Sequence, residues 1–174
     1  MSDTGNAQLL AHLHSNVLRY NHTQKEWFVW NDQYWLRDRK MKRYHYAKDV
    51  SKYRQKSAIG IKDNNEKKYL FNFGVHSGDK SKIESMLAVA TTLPVIATSS
   101  DNWDRDDLLV QCRNGVLALT NGKLIQGKPD FMISQSSRVH FDSSADCPIF
   151  DQFLLQLPLY QLFSLSHLLH LLTK

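Results

Sequence analysis

The residues with the strongest potential for chemistry are the acidic group Asp101, Asp104, Asp106 and Asp107, two histidine pairs and two cysteines. Clustered carboxylates suit a hard divalent cation, and through it phosphodiester hydrolysis. The competing account is a loop leading into an element start, where aspartate accepts backbone N–H bonds and complements a helix dipole. His12 and His14 sit two apart, and His167 and His170 three apart. A catalytic zinc needs three protein ligands and an open position, and no H-E-x-x-H or cysteine pair supplies them. Cys112 and Cys147 define no disulfide framework and no four-cysteine zinc site, which fits a reducing, cytoplasmic setting. Cys112 has no base near it in sequence, and Cys147 is followed by Pro148, a structural pairing. Gly122-Lys123 and Gly127-Lys128 lack the earlier glycine of a G-x-x-x-x-G-K-[ST] loop, so no ATP phosphate cradle is predicted. The expectation is a chain with no catalytic centre, no metal and no cofactor.

Charge is the stronger signal. Between Arg37 and Lys68 there are 12 Lys and Arg against 4 Asp and Glu, a net of +8, while the rest of the chain carries −3. Such concentration is the footprint of a polyanionic partner, although a solvated helix face produces it too. The segment Arg37, Arg39, Lys40, Lys42 and Arg43 leads into Lys48, Lys52 and Lys56, spaced at i, i+4 and i+8 with Arg54 among them. On a helix those lysines form one stripe whose mutual repulsion a phosphate backbone would relieve.

The elements that must position these side chains follow from periodicity. Leu9, Leu10, Leu13, Val17 and Leu18 predict a helix over 6–18. Trp27 to Trp30, Asn31-Asp32 and Tyr34 to Leu36 predict an aromatic β-hairpin. Trp27 and Trp30 would face opposite sides of their strand. Hairpin tryptophans are usually core, but Trp35 or Tyr44 beside the basic patch could instead stack an unpaired base. Tyr46, Val50 and Tyr53 repeat at helical spacing, and Gly60 with Asp63-Asn64-Asn65 divides the basic segment into two helices. A further helix is predicted over Lys80–Leu93, with Ser81 and Glu84 as a capping box and Ile83, Met86, Leu87 and Ala90 as its apolar stripe.

Beyond it, Asn114-Gly115 and Asn121-Gly122 are turn dipeptides that favour positive φ, so 116–119 and 123–125 form a hairpin. Residues 131–134 and 138–141 read as two more short strands, and Cys147-Pro148 opens a helix near Phe150. The fold class is α+β, one domain over 1–155: a helical N-terminal half carrying the aromatic hairpin, a hairpin-rich C-terminal half and a C-terminal helix. From Leu154 to Leu172 there are ten leucines and no glycine or charged residue, so 156–174 is an atypical tail. As a helix it would align Leu155, Leu159, Leu162, Leu165 and Leu169 as an apolar ridge for a protein partner or a second copy. No run of about 18 consecutive apolar residues suggests a membrane span.

One stretch carries a family resemblance. Asp104, Leu108-Leu109, Asn114-Gly115-Val116-Leu117-Ala118-Leu119 and Gly122 come in sequence, followed by Asp142, Ala145, Cys147-Pro148, Phe150 and Phe153-Leu154. In order and spacing this resembles the domain preceding the helicase motor in phage and plasmid primase-helicases, the group related to the poxvirus primase-helicase. Trp27, Trp30 and Trp35 fill the aromatic pattern near the start of that domain, and the resemblance extends over about residues 10–154, strongest in 101–154. It implies that Asp104 precedes a structural Leu-Leu pair rather than ligating metal. It implies a region that helps a replication enzyme engage DNA and assemble as a ring. In the family a superfamily 3 ATPase follows, so the expectation is a truncated phage or prophage chain without its motor. The expected role is a non-catalytic DNA-binding and assembly module, single strands favoured, acting through Arg37, Arg39, Lys40, Lys42, Arg43, Lys48, Lys52, Arg54 and Lys56 with Trp35 and Tyr44. The alternative is a protein-interaction module that inhibits or decoys a replication or defence protein.

Overall fold

A computed structural model of the chain describes residues 2–156. The first element is helix α1, Asp3–His14, capped by the Ser2 hydroxyl, which accepts from the Gly5 N–H at 3.2 Å. It stops short of the predicted end at residue 18. The Val17 carbonyl is taken by the Trp30 N–H at 3.0 Å, and Leu18 opens a strand, β1, Leu18–Asn21. Sheet pairing overrides a helical pattern that α1 and β1 happen to share.

β2 (Glu26–Trp30) and β3 (Trp35–Arg37) form the predicted hairpin, with Val29 opposite Leu36 and Trp30 opposite Trp35. A short strand β4, Ala97–Thr98, runs parallel to β1 and completes a sheet of order β3-β2-β1-β4. The alternation along β2 separates two cores, as the odd spacing of its tryptophans requires. Val29, with Trp27 against it, packs with the helices around Leu10, Leu18, Val50, Met86 and Ile96. Phe28, with Trp30 beside it, belongs to a second cluster with Trp35 and Trp103.

The basic segment folds as two helices, α2 (Lys42–Ile59) and α3 (Asn64–His76). They part at Gly60, and the Asp63 side chain caps α3 by accepting from the Glu66 N–H at 2.7 Å. The two pack closely: a Cβ added at Gly74 would lie 2.9 Å from the Gln55 backbone nitrogen. Their contact is polar as well as apolar, since the buried Ser51 hydroxyl donates to the Gly74 carbonyl at 2.7 Å. α4, Lys80–Ala90, buries Ile83, Met86, Leu87 and Ala90 as its spacing predicts. Its N-cap is Asp79, so Ser81 lies inside the helix and the predicted Ser81–Glu84 capping box does not form. Glu84 instead sits 3.9 Å from Lys80, one turn back.

The second sheet, β5 (Leu109–Cys112), β6 (Gly115–Ala118) and β7 (Lys123–Ile125), has the order β5-β6-β7. Both Asn-Gly turns close strands here. Gly115 has φ +150°, and an added Cβ would meet the Ile125 carbonyl oxygen at 2.7 Å, so the position admits no side chain. The two strands expected over 131–134 and 138–141 are absent. Their backbone bonds are isolated rather than laddered, as from the Arg113 N–H to the Val139 carbonyl at 2.9 Å, and side chains take other groups: Asn114 grips Phe141 through both its N–H and its carbonyl, at 3.0 and 2.9 Å. α5, Pro148–Gln156, ends the described residues, and its exposed apolar side chains include Ile149 and Leu155. The rest of the leucine ridge lies outside them. Helices and two small sheets together make the fold α+β.

Candidate nucleic-acid interface

From Arg37 to Arg43 the chain has five cations and one carboxylate. That carboxylate organises the rest. The Asp38 side chain is fully buried and accepts from the backbone N–H groups of Lys42 at 2.7 Å and Arg43 at 3.0 Å. A third bond, at 3.1 Å, comes from the Arg43 guanidinium. Asp38 thereby caps α2 from outside the usual N-cap position, which Met41 holds in the left-handed region at φ 54° without a side-chain cap. A non-glycine residue there is locally unfavourable, and the Asp38 bonds hold it in place. No acidic residue occupies the first turn of α2, and the Asp38 carboxylate takes the place of one at the positive helix terminus.

This turn presents Arg37, Arg39, Lys40 and Lys42 to solvent. Arg37 is paired with Glu26 at 3.2 Å, whereas Arg39, Lys40 and Lys42 form no ion pair among the described residues. Along α2, Lys48, Lys52 and Lys56 are exposed. Helical spacing sets them on the solvent side of the buried stripe Ala47, Val50, Ser51 and Ala58. Lys52 meets Asp49 at 3.1 Å, a carboxylate that also lies 3.6 Å from His14. Burial lowers the His14 pKa and Asp49 opposes that shift.

Four of the candidate residues have structural work. Trp35 is fully buried, in edge contact with Trp30 and Trp103 at 5.6 and 5.8 Å, and donates from Nε1 to the Pro129 carbonyl at 2.9 Å. It offers no face to a base, because Trp35 points to the second core while its neighbour Leu36 takes the other side of β3. Tyr44 is half-buried against the main core, with the Arg43 guanidinium 5.1 Å from its ring centroid. Arg43 itself is committed to Asp38. Arg54 clamps α1 to α2: its Nε donates to Asn6 Oδ1 at 2.8 Å and a terminal nitrogen to the Gly5 carbonyl at 3.0 Å. Burial lowers the Arg54 pKa. The buried Asn6 completes the clamp by donating to the Ser77 hydroxyl at 2.9 Å.

The structure adds residues that sequence reasoning missed. Where β3, the 38–42 turn and residues 134–135 meet, a groove of about 680 Å³ opens. Arg37, Arg39, Lys40 and Lys42 line it together with Gln135, and Leu36 is its exposed apolar side chain, since the neighbouring Phe28 and Val29 are buried in the two cores. No local signal points to Gln135. It arrives because Asp104, 30 residues earlier, accepts from the Ser134 N–H and hydroxyl at 2.7 and 2.6 Å and from the Gln135 N–H at 3.2 Å.

Those bonds also fix the role of the acidic group. Asp104 is a loop anchor, and Asp106 accepts from the Leu108 N–H at 3.0 Å. Among the described residues no group of three or more His, Cys, Asp or Glu could hold a metal ion. Cys112 is buried and Cys147 exposed, both as free thiols. No described helix is long and apolar enough to cross a membrane.

Residues 7–157 match the family model described as D5 N terminal like. The chain belongs to the D5 N-terminal-like family. This is the N-terminal domain of phage- and poxvirus-type primase-helicase D5 proteins, and the match runs from within α1 through α5. Comparison of the chain with curated proteins gives no match. The basic turn and the groove lie within the matched residues.

Proposed function

We propose that this D5 N-terminal-like domain is a non-catalytic module that binds DNA, single strands in preference, through the exposed cations Arg37, Arg39, Lys40, Lys42, Lys48, Lys52 and Lys56. The observation that carries the reading is the turn held by Asp38, which points outward three cations without ion-pair partners among the described residues. Phosphate contacts made by such side chains release condensed counterions, so log affinity falls linearly with log salt.

Fluorescence anisotropy with labelled single- and double-stranded DNA, from about 50 to 200 mM salt, tests this. Binding that weakens along that line is expected. The triple variant Arg39→Glu, Lys40→Glu, Lys42→Glu should lose more than tenfold in affinity, and its salt slope for single strands should be shallower by about 2, three contacts at roughly 0.7 each. A wild-type affinity in the triple variant would refute the assignment of the site.

A second reading, assembly through protein contact, has its own observation. Val110, Leu117 and Leu124 face one another across all three strands of the second sheet, and Val110 and Leu124 are exposed. A second copy placed symmetrically could cover this row. Sedimentation should then show wild type heavier than a monomer and Val110→Lys, Leu124→Lys monomeric. A monomeric wild type would dismiss self-association by this face.

A further inference from the structure

We propose that the groove between β3, the 38–42 turn and Gln135 holds one unpaired DNA base, with the adjoining phosphates on Arg39, Lys40 and Lys42. The inference rests on the DNA-binding reading and assigns it a site. The groove's volume of about 680 Å³ falls within the roughly 300–1,000 Å³ typical of small-molecule sites. Its chemistry is divided as a nucleotide is divided. Arg39, Lys40 and Lys42, without ion-pair partners among the described residues, line it, and Leu36, 38% exposed on the edge strand, gives it an apolar side chain.

Two carboxylates also reach the groove, and both are engaged. Asp38 accepts three hydrogen bonds from Lys42 and Arg43, and Asp104 accepts three from Ser134 and Gln135. Neither has to be displaced for an anion to approach the lysines. The Gln135 side-chain amide makes no hydrogen bond among the described residues, which leaves a donor and an acceptor for the edge of a base. A base can enter only when unpaired, so this groove, unlike the lysine stripe, distinguishes single strands from duplex. Charge complementarity favours a nucleic acid over an apolar peptide as the occupant.

The experiment compares the full chain's affinity for labelled oligothymidylate and for a strand of equal length made wholly of abasic deoxyribose phosphates. Wild type should bind the thymidylate at least about fivefold more tightly, the low end of what one stacked base contributes. Leu36→Glu should abolish that difference, and Leu36→Met should retain it. Equal wild-type affinity for the two strands would overturn the base site while leaving phosphate binding intact. Binding to neither strand would overturn the DNA reading as well. Should Leu36→Glu fail to fold, the wild-type comparison between the two strands decides alone.

Discussion

Trp35→Ala is expected to destabilise the domain by about 3–5 kcal/mol, the cost of truncating a large buried aromatic. The side chain is fully buried and edge-on to Trp30 and Trp103, and the Arg19 guanidinium lies 5.1 Å from its ring centroid. Its removal also leaves the Pro129 carbonyl with the Met132 N–H alone, and leaves Arg19, whose pKa burial already lowers, beside a void. Trp35→Phe keeps most of the volume and loses the indole donor with one ring of the bicycle, so it should cost markedly less. Urea denaturation of the three proteins measures both values. Trp35→Ala within about 0.5 kcal/mol of wild type is the behaviour of an exposed side chain and would refute the burial. The loss should spread beyond the cavity. Trp35 is bonded at its backbone N–H to Ile133, next to the Ser134–Gln135 segment that Asp104 holds, so the groove loosens with the tryptophan seam.

Trp35 shows where sequence reading works and where it ends. Period-two alternation correctly sends Trp27 and Trp30 to opposite sides of β2, because that depends only on strand geometry. It cannot say that both sides of this sheet are covered, one by helices and one by Trp103, which is 68 residues downstream of Trp35 in the chain. The division of α2 from α3 at Gly60 and Asp63, and both Asn-Gly turns, were legible because their causes are local. β1, the Asp104 anchor and the Asn114 clasp on Phe141 were not, because each depends on a partner distant in sequence.

The candidate site divides the same way. Lys48, Lys52 and Lys56 follow from helical spacing and stay exposed. Arg54 has the same composition signal and is consumed in holding Gly5 and Asn6. Nothing in the local pattern distinguishes the two fates, since both depend on where α1 packs. Tyr53, which shares the spacing of Tyr46 and Val50, is exposed for a related reason: among the described residues no element covers that side of α2. Charge count therefore marks only a candidate region, while the tertiary contacts sort exposed from engaged residues within it.

Asp38 offers the sharpest separation of charge from geometry. Asp38→Ala should cost about 2–4 kcal/mol, since it removes an α2 cap and leaves the Arg43 guanidinium without its carboxylate. Asp38→Asn, which keeps one carbonyl acceptor, should lie between it and wild type in a thermal melt. The informative quantity is DNA affinity, measured by anisotropy well below either variant's melting temperature. Both substitutions make the protein more positive, so a site that is merely a cloud of charge would bind DNA more tightly. A site that works because Arg39, Lys40 and Lys42 are pre-positioned must bind more weakly, since the turn would have to be ordered at the moment of binding. The expected result is a loss of several-fold for Asp38→Asn and more for Asp38→Ala. A gain in affinity would show that net charge alone governs binding, and that the left-handed Met41 and the capped turn serve only the stability of α2.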